Sequence, residues 1–236
     1  MSATQTETVT LTVDGREITV PKGMSLVVAA AEHAGIEIPV FCYEPRLGPP
    51  IGACRMCLVE LEGAPKLQAA CTLTCNDGMV VKTAGTSEQA KEAQDAVLEF
   101  MLLNHPLDCP VCDKGGECPL QDLTFKYGPG SSRMTLPKRT YEKPLPISPA
   151  IVLDRERCIL CYRCTRFSSD VAEDGELVAR ERGATSVIAT FEEQPYCGSF
   201  SGNVTELCPV GALLPTAYRF KARPWEIVNV PTVCTG

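Results

Sequence analysis

The stretch NHPLDCPVCDKGGECPLQD, residues 104–122, decides how the rest of the chain is read. It carries Cys109, Cys112 and Cys118. Just ahead of them lies His105, one of only two histidines in 236 residues. Three thiols and one imidazole in so short a span form a compact set of soft and borderline donors. Gly115-Gly116 supplies the turn that lets the chain double back between the second and third cysteines. By ligand count alone, zinc with Cys3His ligation competes with an iron–sulfur cubane closed by one histidine.

Working outward, TSEQAKEAQDAVLEFMLLNH (86–105) reads as a helix that delivers His105 at or just past its last turn. Ala90, Ala93, Val97 and Phe100 recur at helical spacing. Thr86 with Gln89 fits a capping box, and Pro106 ends the helix.

Upstream, FCYEPRLGPPIGACRMCLVELEGAPKLQAAC (41–71) places Cys42, Cys54, Cys57 and Cys71 with gaps of eleven, two and thirteen residues. Before it, TVTLTVDGREITV reads as two alternating strands joined at Asp14-Gly15, a strong hairpin signal. SLVVAAAEHAGIEIP then reads as a helix stopped at Gly35. Strand, turn, strand, helix and cysteine-bearing loop resemble the β-grasp of plant-type [2Fe–2S] ferredoxins, although the first gap is longer here. Gly48, Gly52 and Ala53 suit a backbone that wraps sulfur closely and donates N–H bonds to it. A zinc ribbon is the competing view, but it usually needs two short cysteine pairs, and only one pair is short here.

Downstream, DRERCILCYRCTRF (154–167) sets Cys158, Cys161 and Cys164 two residues apart each time, and TELCPVGAL (205–213) adds Cys208 followed by Pro209. Three closely spaced cysteines completed by a Cys-Pro form the bacterial ferredoxin pattern. Cys197 is the rival fourth ligand. With Cys208 chosen, eleven cysteines plus His105 make twelve donors, and Cys75, Cys197 and Cys234 remain outside. Cys75 and Cys197 are expected to be small buried apolar side chains. His33 is expected to be an ordinary helix residue.

Fourteen cysteines, no apparent signal peptide and no apolar run of membrane-spanning length predict a cytosolic protein with reduced thiols. The net charge of −7 argues against nucleic acid as a partner. Neither a Walker loop, a GxGxxG nor a Ser/His/Asp arrangement is found, and nothing marks a substrate pocket. The expected boundaries are 1–85, 86–145, 146–222 and 223–236. Residues 126–149, rich in Gly, Pro and Ser, are expected to be a solvated surface strap between the second and third regions. The final alternating stretch, RPWEIVNVPTVCTG, is expected to begin a further domain.

Three cysteine groups in this order are similar to the N-terminal part of the G subunit of bacterial NADH:quinone oxidoreductase, respiratory complex I. The resemblance covers essentially the whole chain and is most specific at residues 104–122. It implies an α+β architecture: a β-grasp [2Fe–2S] ferredoxin-like domain, a small helical His/Cys cluster domain and a [4Fe–4S] ferredoxin-like domain. It also implies one [2Fe–2S] cluster on Cys42, Cys54, Cys57 and Cys71. One [4Fe–4S] cluster would sit on His105, Cys109, Cys112 and Cys118, and another on Cys158, Cys161, Cys164 and Cys208. The implied role is relay of single electrons from NADH and flavin towards quinone, in a hetero-oligomer that includes the flavin-bearing, NADH-binding subunit. The implied location is peripheral, on the cytoplasmic side of the inner membrane. A molybdopterin-oxidoreductase-like domain follows in the family. The diaphorase subunit of an NAD-reducing hydrogenase and the front half of an iron-only hydrogenase share the same cluster trio.

Overall fold

The structure, a computed structural model, describes residues 7–228, 230, 231 and 233. Cys234 therefore lies outside the described residues. The chain opens with a hairpin of β1 (Thr8–Val13) and β2 (Arg16–Pro21). Its turn uses Asp14 and Gly15, both at positive φ (48° and 79°). A two-residue turn that matches the twist of paired strands needs this conformation. The predicted helix follows as α1 (Leu26–Ala29), widens into a π-helical turn over Ala30–Ala34, and ends on Gly35 at φ 65°. His33 is exposed on this turn, as an ordinary helix residue would be.

After the first cysteine loop come β3 (Leu58–Leu61), β4 (Gln68–Ala69) and β5 (Val80–Lys82). The five strands form one mixed sheet in the order β2-β1-β5-β3-β4, with β1 and β5 parallel. Leu11, Val13, Val20 and Val81 of the sheet pack against Leu26, Ala29 and Ala30. Cys75 is fully buried in this core, and burial raises its thiol pKa. The expectation for that residue holds.

The second helix, α2 (Glu88–Leu102), is capped by Ser87, whose hydroxyl accepts from the Ala90 amide. Thr86 does not cap it as expected. Its hydroxyl donates to the Asp14 carboxylate, which also accepts from the Thr83 amide and hydroxyl. The hairpin turn is thereby tied to the exit of β5, and the cap moves one residue along. The buried face of α2 is Ala90, Gln94 and Leu98, while Phe100 is 75% exposed. The predicted stripe is displaced because Gln94, a polar residue, is buried with its amide donating to the Leu58 carbonyl.

Beyond α2 lie α3 (Pro119–Tyr127), β6 (Leu145–Pro146), β7 (Ile151–Leu153), α4 (Arg163–Arg166), β8 (Leu177–Arg180), β9 (Val187–Thr190), α5 (Asn203–Leu207) and β10 (Leu213–Pro215). Strand β7 is central between β10 and β6, and β8 pairs with β9. A second core joins Leu98 of α2 to Ile151, Leu153, Phe167, Leu177, Ile188, Tyr196 and Leu213. It also takes in Phe41, Leu47 and Met56 from the first cysteine loop. The cysteine regions therefore share apolar packing rather than hanging on separate linkers.

Residues 128–144 have no regular structure, but the strap is not simply solvated. Arg133 pairs with Glu99, Lys138 donates to the carbonyls of Leu102 and Leu103, and Lys143 pairs with Asp108 at 2.8 Å. Lys138 thus serves the C-terminal carbonyls that a helix leaves open. Arg223 turns back onto the second cysteine loop and donates to the carbonyls of Cys109, Pro110 and Cys112.

Candidate metal centres

In the first loop the four expected sulfurs converge. Cys42 reaches Cys54 and Cys71, and Cys57 reaches Cys71. These contacts draw Cys42 and Cys57 towards thiolate and hold Cys54 and Cys71 protonated. The Cys42 amide lies 3.4 Å from the Cys54 sulfur, and the Cys54 amide 3.5 Å from the Cys42 sulfur. Ala53 also donates to Cys42, the role its position suggested. Gly48 and Gly52 take positive φ (75° and 59°), and Arg55, between Cys54 and Cys57, is held at φ 60°. A left-handed non-glycine residue is uncommon and needs support from its surroundings.

In the second region, His105, Cys109, Cys112 and Cys118 line one cavity of about 260 Å3. That is several times the about 30 Å3 share of one liquid water. Asp108, Leu120, Phe125, Arg157 and Gly211 complete much of its wall. His105 follows the end of α2, and Cys118 stands at the N-cap position of α3. Burial pushes the imidazole down to about 4, Arg157 and Lys138 add to the shift, and Asp108 opposes it. His105 is therefore neutral near pH 7, with a lone pair free for a metal. Cys112 and Cys118 are buried, whereas Cys109 is exposed.

In the third region, Cys158, Cys161, Cys164 and Cys208 line a single enclosed cavity with Leu153, Ile188, Val210 and Leu213. Its free space is only about 20 Å3, so fit here rests on the donor set and its backbone rather than on volume. Burial raises the thiols of Cys158 (to about 12), Cys161 and Cys164. Such sulfurs resist ionisation alone and need a cationic centre to become thiolates together. Leu160 and Tyr162, between the cysteines, sit at φ 53° and 60°. Cys197 is exposed and outside this cavity, and its amide donates to Glu176 at 2.7 Å. It is not the expected buried apolar side chain, and it does not line the cavity.

A common device runs through all three regions. The sulfurs of Cys54, Cys112, Cys118, Cys158 and Cys161 accept from the backbone N–H two residues on: Met56, Lys114, Leu120, Leu160 and Arg163. N–H donors aimed at sulfur stabilise charge on a thiolate and tune a bound cluster. Among the described residues no three His, Cys, Asp or Glu donors converge tightly enough for one metal ion. A polynuclear centre spaces its ligands more widely than the about 3.8 Å between sulfurs around a single tetrahedral zinc.

The residues that tie the regions together carry no motif or spacing of their own. The Cys118 sulfur lies 3.8 Å from the Pro209 carbonyl, one residue past Cys208. Gly211 abuts the Cys112 sulfur. Buried Arg166 donates to the carbonyls of Leu47 and Pro49 at 2.5 and 2.7 Å, and Arg163 donates to Tyr43 at 2.7 Å. The guanidinium groups thus clamp the first cysteine loop onto α4, which starts one residue before Cys164. Only the position of Gly211 in CPVGAL and the basic residues around Cys164 signalled any of this.

Three stretches of the chain match known families. Residues 6–86 match the family described as 2Fe-2S iron-sulfur cluster binding domain. Residues 94–133 match the NADH-ubiquinone oxidoreductase-G iron-sulfur binding region. Residues 148–214 match the NADH-quinone oxidoreductase subunit 3 ferredoxin-like domain. The chain is 58% identical over 226 residues to the G subunit of the NADH-quinone oxidoreductase of Streptomyces coelicolor, covering 96% of this chain and 27% of that protein. It is 44% identical to NADH-quinone oxidoreductase subunit 3 of Thermus thermophilus, covering 94% of this chain and 32% of that one. The chain thus spans about a quarter to a third of the curated relatives it matches. Among solved structures it is similar to a chain of an NAD+-reducing [NiFe]-hydrogenase. There the TM-score is 0.78 and the identity 30%, with 91% of this chain and 90% of that one covered.

Proposed function

Because the chain belongs to the family of the NADH-quinone oxidoreductase G subunit, an iron–sulfur family, we propose that it is the electron-relaying iron–sulfur portion of such an oxidoreductase. One [2Fe–2S] cluster is assigned to Cys42, Cys54, Cys57 and Cys71. A [4Fe–4S] cluster is assigned to His105, Cys109, Cys112 and Cys118, and a second to Cys158, Cys161, Cys164 and Cys208. The units proposed to hold them are residues 1–85, 86–145 and 146–222. The observation that carries the proposal is the meeting of one imidazole and three sulfurs around a single cavity, next to a second enclosed by four cysteines.

When bound, the clusters supply one-electron carriers. The chain's own residues hold, bury and tune them. Amides of Met56, Lys114, Leu120, Leu160 and Arg163 present N–H groups to sulfur. Leu153, Ile188 and Val210 keep water from the third site. Neutral His105 contributes a ligand without adding negative charge. Electrons are proposed to come from NADH through flavin on a neighbouring subunit and to leave towards quinone. The chain would sit peripherally on the cytoplasmic side of the membrane, and its membrane contact would be indirect. Among the described residues no helix is long and apolar enough to cross a membrane.

A second reading, the diaphorase part of an NAD-reducing hydrogenase, is favoured by the solved hydrogenase chain that this one covers almost end to end. Hydrogen-dependent NAD reduction by the purified complex would support it, and quinone reduction by NADH the first. For either, anaerobic preparations should contain about ten iron per chain, by cluster arithmetic of two, four and four. Equimolar acid-labile sulfide and three separable EPR signals should accompany that iron. Zinc in place of iron would end both.

A further inference from the structure

We infer that Arg157 is a positioning residue for the His105 site, whose buried guanidinium raises the reduction potential of the group held there. The inference rests on the ligand set proposed above. Arg157 stands next to Cys158 in sequence, yet its guanidinium belongs to the other cavity. It is 5% exposed and lines the space shared by His105, Cys109, Cys112 and Cys118. It does not line the cavity of its own neighbour, Cys158.

The side chain is held from several directions. Nε donates to Asp108 Oδ2 at 3.0 Å, Nη2 forms an ion pair with the same oxygen at 2.8 Å, Nε lies 3.2 Å from Asp154 Oδ2, and Nη1 donates to the Gly211 carbonyl at 3.5 Å. Gly211 in turn abuts the Cys112 sulfur. The remaining charges of the network are Lys143, which pairs with Asp108 and Glu156 and lies 3.9 Å from Asp154, and Glu156 itself. Two cations therefore face three carboxylates. Removing Arg157 leaves one cation against three and turns the wall of the cavity more negative. One-electron reduction adds negative charge to that cavity, so it becomes harder when the guanidinium is gone. In this low-dielectric site a fixed cation acts more strongly than the same charge at the surface.

The test is a potentiometric EPR titration of the anaerobic holoprotein carrying Arg157→Met, Arg157→Lys or Asp108→Asn. Arg157→Met should keep the His105-site signal and shift its midpoint to lower potential, with a smaller shift at the Cys158 site. Arg157→Lys, which retains the charge, should return most of the midpoint. Asp108→Asn should move it the opposite way, which a purely structural role does not predict. An unchanged midpoint in Arg157→Met overturns the inference. If that variant loses the cluster, an unmoved or lowered midpoint in Asp108→Asn overturns it instead. Absence of the signal from the unaltered protein would instead defeat the ligand assignment.

Discussion

Gly211 and Cys112 lie so close that a Cβ built on the glycine would fall well inside contact distance of the cysteine sulfur. The two belong to different cysteine groups, and their approach presses the loop after Cys208 against the second site. Gly211→Ala should therefore displace the Cys112 sulfur, because a backbone-borne methyl has no rotamer to escape by. Iron should fall by about four of the ten per chain, and the EPR signal of the His105 site should go while the [2Fe–2S] signal stays. Full iron content in this variant would show that the loop yields without disturbing the site.

Arg166 is the buried clamp between the first and third regions. Its guanidinium serves the carbonyls of Leu47 and Pro49, which Met in its place would leave without those donors. Arg166→Met should lower stability by about 1–3 kcal/mol, the cost of orphaned buried acceptors. The measurement is the denaturant midpoint of the anaerobic holoprotein. Dipolar broadening between the [2Fe–2S] signal and its neighbour should weaken in parallel if the loop moves away from α4.

How far these features can be read in advance depends on their reach along the chain. The Asp14-Gly15 turn and the stop at Gly35 follow from local chemistry, and the structure has both; the second and third cysteine groups each line one cavity. The cap of α2 could not be assigned locally. Thr86 and Ser87 are both competent, and an aspartate at position 14 engages the threonine. Phe100 matches a helical stripe, yet Gln94 takes the buried face because a carbonyl of β3 accepts from its amide. Arg157 reads as part of a charged run before Cys158. Its place against His105 and Cys112 is set by tertiary packing that no spacing rule encodes.

Cys208 and Cys197 are the two candidates for the last ligand of the third site. The cavity is lined by Cys208, which is buried, while Cys197 lies exposed on a loop tied to Glu176. Cys197→Ser should leave iron content and all EPR signals unchanged. Cys208→Ser should remove one cubane, about four iron per chain. The reverse pattern would transfer the ligand to Cys197 and require the 197–203 loop to fold inward.

His105→Cys tests the imidazole by charge alone. The histidine is neutral near pH 7 because burial, reinforced by Arg157 and Lys138, holds its pKa down at about 4. As a neutral ligand it leaves the site one negative charge short of a four-thiolate cage. A cysteine in its place restores that charge, so the oxidised form is favoured and the midpoint falls, in the sense opposite to the histidine-for-cysteine replacement of Rieske centres. The cluster should persist, since four soft donors remain around a cavity of about 260 Å3. Redox titration of wild type and variant side by side decides it. Identical midpoints would take His105 out of the ligand set and leave the site to its three cysteines and a donor from elsewhere.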